Sequence, residues 1–333
     1  MAKQRPGRAG IKDVAERAGV SLTTVSHVLS GRRPVSEATR ERVEEVIAEL
    51  NYRPNRAAQS LMTRRTHTMA LVVPDITNPF YPALAMGMLD VAEAAGFAVL
   101  IDNTHGDPAR EELAMQQVLE RGVDAIAFAG YGRSLDVLEP MIEAGVPAVA
   151  FGIAEASAGV DVISSDDHGG GYEAARFLVE SGRRRLAFVA GPPTEGLRVG
   201  RLHGFEAFLR GAGLPARVHH AALTRDGGYA GTAALFAEGV IPDAIVANND
   251  IVALGVLDYA RRHGMDVPGD LAVVGFDDID IADLVHPALT TVRVPAREQG
   301  EAAARVLLHR LDGDVSAPHS TVFPMALIRR ESA

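Results

Sequence analysis

The chain of 333 residues contains no cysteine and no tryptophan. The absence of cysteine excludes disulfide bonds, thiolate nucleophiles and zinc sites built on thiolates. Lysine does not occur after Lys12, which excludes a P-loop lysine and a Schiff-base lysine from the rest of the chain. No run of about 18 apolar residues occurs, so the sequence predicts no membrane-spanning helix and no membrane partner.

An apolar signal segment is also absent from the first ten residues, which are basic and polar. We therefore expect a cytoplasmic protein rather than an exported one. Apolar residues make up 47% of the chain and charged residues 23%, which is ordinary for a folded protein of this kind. The length predicts two or three domains, each large enough for a sizeable core.

The charge is divided unevenly along the chain. Residues 1–65 carry 13 of the 33 basic groups and 7 of the 43 acidic groups, a balance of +6. The remainder carries 20 basic and 36 acidic groups, a balance of −16, and the net charge of the whole chain is −10. A basic N-terminal segment on an acidic body predicts a small module that binds a polyanion.

The basic segment has the pattern of a helix-turn-helix. Apolar residues three and four positions apart predict a first helix: Ile11, Val14, Ala15 and Ala18. Gly19 ends that helix, and Ser21 is the predicted N-cap of a second helix over residues 22–29. Such a second helix lies in the major groove of DNA. Its polar side supplies the candidate base contacts Leu22, Thr23, Ser26 and His27.

A third helix and a short following segment complete the N-terminal part. Pro34 and Ser36 open the third helix, whose predicted buried stripe is Val43, Val46, Ile47 and Leu50. Residues 51–61, which include Pro54, predict a helix of one or two turns. A helix this short is marginal in isolation, so we expect it to need a dimer mate or DNA as a partner.

From Met69 onward, short apolar runs alternate with helical patterns. The runs cover residues 70–73, 98–101, 125–128, 148–151, 186–189, 244–247 and 271–274. Continuous apolar runs separated by helices are typical of parallel strands that are covered on both faces. The pattern restarts after Asp166, which predicts two doubly wound α/β lobes, and residues 289–294 are expected to cross back to the first lobe.

Polar residues follow the ends of several predicted strands. They are Asp75, Asn78, Asn249, Asp250, Asp277 and Asp278. Ligands of open parallel sheets bind beyond the carboxyl ends of the strands. Carboxylates and amides beside the aromatic rings of Phe80 and Tyr81 suit a polyhydroxylated ligand. Each of these polar residues also fits the alternative of a helix cap or turn residue.

Several motifs have a more specific spacing. In the head they are Ile11-Lys12-Asp13-Val14-Ala15, Ala18-Gly19-Val20-Ser21, Thr24-Val25-Ser26-His27-Val28-Leu29 and Asn51-Tyr52-x-Pro54-Asn55-x-Ala57-Ala58-x-Ser60-Leu61. In the body they include Asp75-x-x-Asn78-Pro79-Phe80-Tyr81, Asn249-Asp250-x-x-Ala253-Leu254-Gly255 and Val274-Gly275-Phe276-Asp277-Asp278. With these motifs the chain resembles the lactose/galactose repressor (LacI/GalR) family of transcriptional regulators.

The resemblance implies how the head binds DNA. It implies a homodimer on a palindromic operator, with paired hinge helices in the minor groove and a leucine from each wedged between base pairs. The matching leucine is Leu61. The implied DNA contacts also include Ser21 and Thr24 in the second helix, and Asn55, Arg56, Ala58 and Gln59 in the hinge. The alternative interpretation of Leu61 is an ordinary apolar linker residue.

The resemblance also implies the architecture and role of the body. It implies a sensor similar to periplasmic sugar-binding proteins, with Arg201, Asp250 and Asp277 as effector contacts. We expect Arg201 and Asp277 on opposite sides of the entrance to the interlobe cleft. The expected function is a DNA-binding repressor that responds to a small sugar-like effector. No cofactor is expected, and the sign of the response stays open.

The expected domains follow from these motifs. They are a helix-turn-helix head over 10–54, a hinge over 55–66, and a sensor over 67–333. Within the sensor, lobe 1 is predicted over 67–165 plus 293–320, and lobe 2 over 166–290 plus the C-terminal end. No heptad pattern follows the last predicted strand, so we expect a dimer rather than a coiled-coil tetramer.

Two rival functions are disfavoured. His168-Gly169-Gly170-Gly171 is similar to the oxyanion segment of some esterases, but no G-x-S-x-G nucleophile motif occurs, and a turn that opens a helix is the simpler interpretation. The eleven histidines show no metal-ligand spacing, and the pair His219-His220 is predicted to alternate across a strand. An exported sugar-binding protein would share the body but would lack residues 11–61.

Overall fold

The computed structural model describes residues 9–30, 33–52, 65–130, 135–152, 159–193, 200–239 and 241–333. The chain forms two compact units, Met1–Thr66 and His67–Ala333, which we call the head and the body. In the part of the chain that the structure describes, no helix is both long enough and apolar enough to cross a membrane.

In the residues of the head that the structure describes, three helices surround a small apolar core. They are α1 (Ile11–Ala18), α2 (Leu22–Ser30) and α3 (Glu37–Glu49). Val14, Val25 and Val43, one from each helix, are fully buried at the centre of this core. Gly19 has a φ of 65°, the left-handed conformation that ends α1 and allows the tight turn into α2. The helical periodicity of the sequence therefore predicted the head correctly.

The first lobe of the body contains a six-stranded parallel sheet. Its strands are β1 (Thr68–Val73), β2 (Ala98–Asn103), β3 (Ala125–Phe128), β4 (Ala148–Phe151), β5 (Val160–Ser165) and β11 (Ser320–Phe323), in the spatial order β11-β5-β4-β3-β1-β2. The helices of this lobe are α4 (Phe80–Ala94), α5 (Pro108–Glu120), α6 (Glu139–Glu143) and α12 (Ala296–Leu311). Apolar clusters cover both faces of the sheet, which explains the continuous apolar runs of its strands.

The second lobe repeats this plan. Its strands are β6 (Leu186–Ala190), β7 (Arg217–His220), β8 (Ala244–Ala247), β9 (Ala272–Asp277), β10 (Thr290–Arg293) and β12 (Ala326–Ile328), in the order β12-β10-β9-β8-β6-β7. Its helices are α7 (Asp167–Glu180), α8 (Gly200–Gly211), α9 (Arg225–Ala237), α10 (Asp250–Arg262) and α11 (Ile281–Leu284). All neighbouring strands are parallel except β12, which runs antiparallel to β10.

The chain passes between the two sheets three times, after β5, after β10 and after β11. The prediction that residues 289–294 cross back to the first lobe is wrong, because Thr290–Arg293 pairs with β9 inside the second sheet. The return begins only after this strand. The predicted end of the first lobe at residue 320 is also too early, because β11 continues to Phe323 beside β5.

Glycines bring pairs of helices into backbone contact. A Cβ atom on Gly171 in α7 would lie 1.8 Å from the carbonyl oxygen of Arg201 in α8, and a Cβ on Gly204 would lie 1.9 Å from that of His168. Only glycine fits at either position. The same reciprocal contact joins α4 to α12 through Gly87 and Gly300, and α9 to α10 through Gly228 and Gly255.

Near the C-terminal end, Ser332 is hydrogen-bonded to strands of the second sheet. Ser332 is fully buried, and its hydroxyl donates to the carbonyl oxygen of Val273 over 2.7 Å and accepts from the N–H of Thr290 over 2.8 Å. Its own carbonyl oxygen accepts from the N–H of Val273. Ser332 thus connects β9 with the start of β10.

Candidate functional site

The second helix of the head presents the predicted base contacts in two groups. The Ser21 hydroxyl accepts from the backbone N–H of Thr24 and lies 2.9 Å from the Thr24 hydroxyl, so these two side chains cap the helix. Leu22 and Thr23 are exposed in the first turn, whereas Ser26 and His27 are half-buried. Leu22 and Thr23 are therefore exposed contacts that take no part in the cap.

The hinge residues of the prediction are Asn55, Arg56, Ala58, Gln59 and Leu61. They lie outside the described residues, so their role in DNA binding stays a prediction.

In the body, a small polar cavity brings together side chains from both lobes. It has a volume of about 70 Å³. Asn78, Phe80 and Tyr81 line it from the first lobe, and Arg201, Asn249 and Asp277 line it from the second. Six of the eight predicted effector contacts therefore meet at this one cavity.

Arg201 is the centre of an ion network beside the small cavity. Its Nε donates to Asp167 over 2.7 Å, and its Nη1 donates to the Asn248 carbonyl over 2.7 Å and to Asp277 over 3.2 Å. The guanidinium also lies 4.7 Å from the ring centroid of Phe276. Burial lowers the pKa of Arg201, but the charges of Asp167 and Asp277 outweigh burial and raise it overall. Arg201 is thus a fixed cation with its hydrogen bonds held in place.

The contact between Arg201 and Asp277 corrects one prediction. Both residues belong to the second lobe and form an ion pair, so they do not stand on opposite sides of the cleft entrance. The sequence does not reveal this contact, because the two residues are 76 positions apart.

Asp250 is not a cleft residue, contrary to the prediction. It is fully buried, and its two carboxylate oxygens accept from the Thr291 hydroxyl over 2.6 Å and from the Ile279 N–H over 2.9 Å. Burial first, and repulsion from Asp277 second, raise the pKa of Asp250 well above its usual value. Asp250 therefore holds the turn after β9 against β10 and does not face a ligand.

Three other predicted contacts take part in local caps and turns. The Asn249 side chain accepts from the Val252 N–H and caps α10, and the Asn78 side chain accepts from the Phe80 N–H. The Asp75 carboxylate accepts from both the N–H and the hydroxyl of Thr77. Asn249 and Asn78 also line the small cavity, so each combines a structural role with a position at the site.

A much larger cavity of about 1280 Å³ lies between the lobes and shares Asn248 with the small one. Asp75, His105 and Glu112 line it from the first lobe, and His220 and Thr224 line it from the second. Sequence reasoning identified only Asp75 among these residues. The predicted alternation of His219-His220 across β7 was the available signal for His220, since one histidine of such a pair must face away from the other.

Asp167 and Gln299 are further residues of the small cavity that sequence reasoning missed. Asp167 begins α7 directly after the crossing from β5, and Gln299 donates to the Ser165 hydroxyl over 2.6 Å at that same crossing. Both residues lie at the site because the chain crosses between the lobes there. The sequence alone does not show where these crossings occur, so it could not identify either residue.

Comparison with family models assigns both units. Residues 175–333 match the periplasmic binding protein-like domain, and residues 10–55 match the model for bacterial regulatory proteins of the lacI family. The body therefore belongs to the class of two-lobed ligand-binding domains, here joined to a helix-turn-helix.

Comparison with whole proteins assigns the family. The chain is 35% identical over 327 residues to the HTH-type transcriptional regulator DegA of Bacillus subtilis (strain 168), covering 97% of each chain. It is also 35% identical to the HTH-type transcriptional regulator CelR of Thermobifida fusca, covering 99% of each. The chain belongs to the LacI family. The predicted resemblance is confirmed, and with it the prediction of a DNA-binding transcriptional regulator rather than an enzyme.

Solved structures show the same architecture. A complex of the transcriptional regulator CelR with cellobiose matches with a TM-score of 0.74 at 33% identity, covering 98% of this chain and 100% of that one. The Lac repressor dimer bound to operator and the anti-inducer ONPF matches with a TM-score of 0.87 at 25% identity, covering 98% and 99%. The predicted fold of a helix-turn-helix head and two α/β lobes is confirmed.

Proposed function

We propose that this regulator is a repressor whose operator affinity is controlled by a sugar or sugar derivative bound between its lobes. The observation that carries the proposal is the small cavity, where Arg201, Asp277 and the amides of Asn78 and Asn249 converge from two lobes. Fixed donors and acceptors around an aromatic side chain suit a polyhydroxylated ring. The relative solved with cellobiose supports a sugar as the ligand class.

In this proposal, ligand binding changes the relation between the lobes. Asn78 and Phe80 belong to one lobe and Arg201 to the other, so a ligand that contacts all three favours one lobe arrangement over another. A ligand shifts such an equilibrium only by its differential affinity for the two arrangements. The three chain crossings are the positions at which the lobes can move relative to each other.

For the DNA side, we propose that Leu22 and Thr23 contact base edges in the major groove, together with His27. Both Leu22 and Thr23 are exposed in the first turn of α2, the part of a recognition helix that reaches the bases. An apolar side chain such as leucine suits the methyl group of thymine. Ser21 and Thr24 are assigned to the helix cap, with their hydroxyls directed toward each other.

We further propose a cytoplasmic homodimer on a palindromic operator, where it would join the nucleoid. A single head offers one small reading module, and helix-turn-helix proteins read palindromes as dimers. The Lac repressor, with which the chain shares its architecture, was solved as a dimer on its operator. The hinge, with Leu61 as its wedge into the minor groove, remains part of this proposal.

The test starts from DNA selection. The full-length protein is mixed with random double-stranded DNA, and bound sequences are enriched and read. We expect one palindromic motif, because two identical heads recognise two identical half-sites. Enrichment of no motif, or of an isolated half-site, would argue against the dimeric regulator.

The effector part is tested on the selected site. Fluorescence anisotropy measures the affinity for labelled operator with and without neutral sugars, sugar alcohols and nucleosides at millimolar concentration. We expect at least one sugar to change operator affinity about tenfold, the size of a coupling energy of about 1.4 kcal/mol. A change produced by nucleosides and by no sugar would contradict the proposed ligand class.

A further inference from the structure

The large cavity is a second space in the same cleft as the proposed sugar site. Both cavities are lined by Asn248, whose carbonyl oxygen accepts from Arg201. Its volume of about 1280 Å³ exceeds the range of about 300–1,000 Å³ that is usual for small-molecule sites. A single sugar ring held at the small cavity would therefore leave most of the cleft unfilled.

Two histidines face this cavity from opposite lobes. His105 follows β2, the edge strand of the first sheet, and His220 ends β7, the edge strand of the second sheet. Both side chains belong to exposed residues that line the large cavity, and neither lines the small one. The two rings are thus placed to contact a ligand unit beyond the first.

Neighbouring groups fix which nitrogen of His105 carries the proton. The Asn103 side-chain oxygen accepts from the Ile76 N–H over 2.9 Å, so the Asn103 amide nitrogen is the end that faces His105, 3.3 Å from its Nε2. An amide nitrogen only donates, so Nε2 of His105 must accept. The neutral ring therefore carries its proton on Nδ1, which is a donor.

In His220 the nitrogen engaged by the protein is Nδ1 rather than Nε2. Its Nδ1 lies 2.7 Å from the Gly191 carbonyl oxygen, which only accepts. The neutral ring therefore carries its proton on Nδ1 and presents the Nε2 lone pair as an acceptor. One lobe offers a donor and the other an acceptor, which is the complement of hydroxyl groups on a sugar.

The remaining lining suits an uncharged ligand. Aliphatic and proline side chains, among them Pro192, Leu223 and Met115, form much of the wall, as is usual where a few polar groups orient a ligand. Its charged residues among the described positions are Asp75, Glu111, Glu112 and Asp136, and none of the described lining residues is lysine or arginine. The negative charge of the four acidic residues disfavours phosphorylated and acidic sugars, which are anionic.

We propose that the large cavity is a second sugar subsite, in which His105 and His220 bind the second unit of a neutral disaccharide or longer saccharide. This inference rests on the proposed function, because the first sugar unit must bind at the small cavity. It makes His105 and His220 determinants of ligand length.

The test compares matched saccharides on the full-length protein. Isothermal titration calorimetry measures affinity for glucose and cellobiose, galactose and lactose, xylose and xylobiose, and glucose 6-phosphate. We expect one disaccharide to bind at least about tenfold more tightly than its monosaccharide, as two added hydrogen bonds of about 1 kcal/mol each would allow. A monosaccharide that binds as tightly as any disaccharide, or a preference for the sugar phosphate, would overturn the second subsite alone.

Variants separate the subsite from the rest of the cleft. His105→Gly and His220→Ala each should weaken disaccharide binding about fivefold and leave monosaccharide binding unchanged. Glycine is chosen at His105 because its φ of 56° is unfavourable for alanine. His105→Asn keeps a donor near Nδ1 and His220→Gln keeps an acceptor near Nε2, so each should restore most of the affinity.

The control is His203→Ala, which removes an exposed histidine of α8 that lines neither cavity. It should leave the affinities for both the monosaccharide and the disaccharide unchanged. Equal weakening of monosaccharide and disaccharide by the His105 and His220 variants would overturn their assignment to a second unit. Binding of no saccharide of either length would overturn the sugar effector of the proposed function together with this subsite.

Discussion

Asp277 has a backbone conformation that an aspartate adopts only under constraint. Its φ is 106°, and that of Asp278 is 57°, both in the region that favours glycine. Such a conformation costs of order 1–3 kcal/mol and persists only where the surroundings enforce it. Here Arg201 holds Asp277, and Arg293 and Arg330 hold Asp278. The constrained turn places the Asp277 carboxylate at the small cavity.

Replacing Asp277 with asparagine should impair ligand binding without unfolding the body. Asparagine tolerates positive φ, but it lacks the charge that faces Arg201. We expect Asp277→Asn to weaken sugar binding at least about tenfold, the scale of a lost hydrogen bond to a charged group. Operator affinity without ligand should stay unchanged, because the substitution lies in the body.

Calorimetry and operator titration check this prediction side by side. Asp226→Asn is the matched control, since Asp226 is an exposed aspartate of α9 in the same lobe and lines neither cavity. Unchanged sugar affinity in Asp277→Asn would remove Asp277 from the site.

The buried carboxyl of Asp250 should make stability depend on pH. Because its pKa is raised in the folded state, the folded protein binds this proton more tightly than the unfolded chain does. The stabilising contribution is full below the unfolded pKa, about 3.9, and is lost as pH rises through the raised folded pKa. Asp250→Asn keeps one acceptor for the Ile279 N–H and removes the titration.

The measurement is the melting temperature of both proteins from pH 4 to pH 8. We expect the melting temperature of Asp250→Asn to rise relative to that of the wild type as pH increases. Parallel pH profiles would show that Asp250 does not titrate in this range.

Among the elements, the α7–α8 pair does most to position the site. Gly171 lies against the Arg201 carbonyl, and Asp167 in the first turn of α7 binds the Arg201 side chain. Gly171→Ala should therefore cost about 2–3 kcal/mol of unfolding free energy, the upper part of the usual cost of overpacking. It should also weaken sugar binding, because the helices cannot separate without moving Arg201.

Gly211→Ala in α8, the other helix of this pair, is the matched control. A Cβ there would meet no atom within 4 Å, so the substitution should stabilise by up to about 1 kcal/mol through the unfolded chain. Denaturant unfolding measures both variants. Equal stability of the two would contradict the close helix contact.

The elements also show how far the sequence predicts the structure. Strands buried on both faces are continuous apolar runs, so β1, β3, β4, β6, β8 and β9 were identifiable. The edge strand β2 is partly exposed and was identifiable only because its first four residues are also apolar. β10 was placed wrongly because its first residues, Thr290 and Thr291, are polar and yet fully buried. Asp250 accepts from the Thr291 hydroxyl, and the Thr290 hydroxyl accepts from the Arg330 N–H, and no local periodicity reveals such distant partners.

The sequence predicted where the polar residues of the site lie, but not which of them face the cleft. Polar residues after strand ends identified Asp250 and Asp277 equally, since both are aspartates next to apolar runs. Only the fold shows that one faces the cleft and the other faces Thr291, 41 positions away in sequence. Of the histidines of the large cavity, His220 ends an edge strand and His105 follows one, and sequence patterns are weaker there.

At the scale of the whole molecule, we expect operator binding to need the head and sugar binding to need only the body. A fragment of residues 67–333 should stay folded and bind the sugar, because it forms its own compact unit. It should lose operator affinity, since the balance of +6 belongs to residues 1–65. Operator binding by the intact protein should weaken steeply with salt, as phosphate contacts release counterions.

Anisotropy on the selected operator at several salt concentrations compares the fragment with the full chain, and calorimetry compares their sugar binding. Operator affinity retained by the fragment would place DNA binding in the body. A salt-independent affinity of the full chain would argue against phosphate contacts.

The hydrogen bonds of Ser332, and the position of β11 and β12 at the end of the sequence, have a consequence for folding during translation. A nascent chain that has emerged as far as Leu311 holds the helices α1, α2 and α3 of the head, yet each sheet of the body still lacks an edge strand. Domains form from the N-terminus during translation, so the head is complete long before the body. A message cut short near its end would therefore yield a DNA-reading head attached to an unfinished sensor.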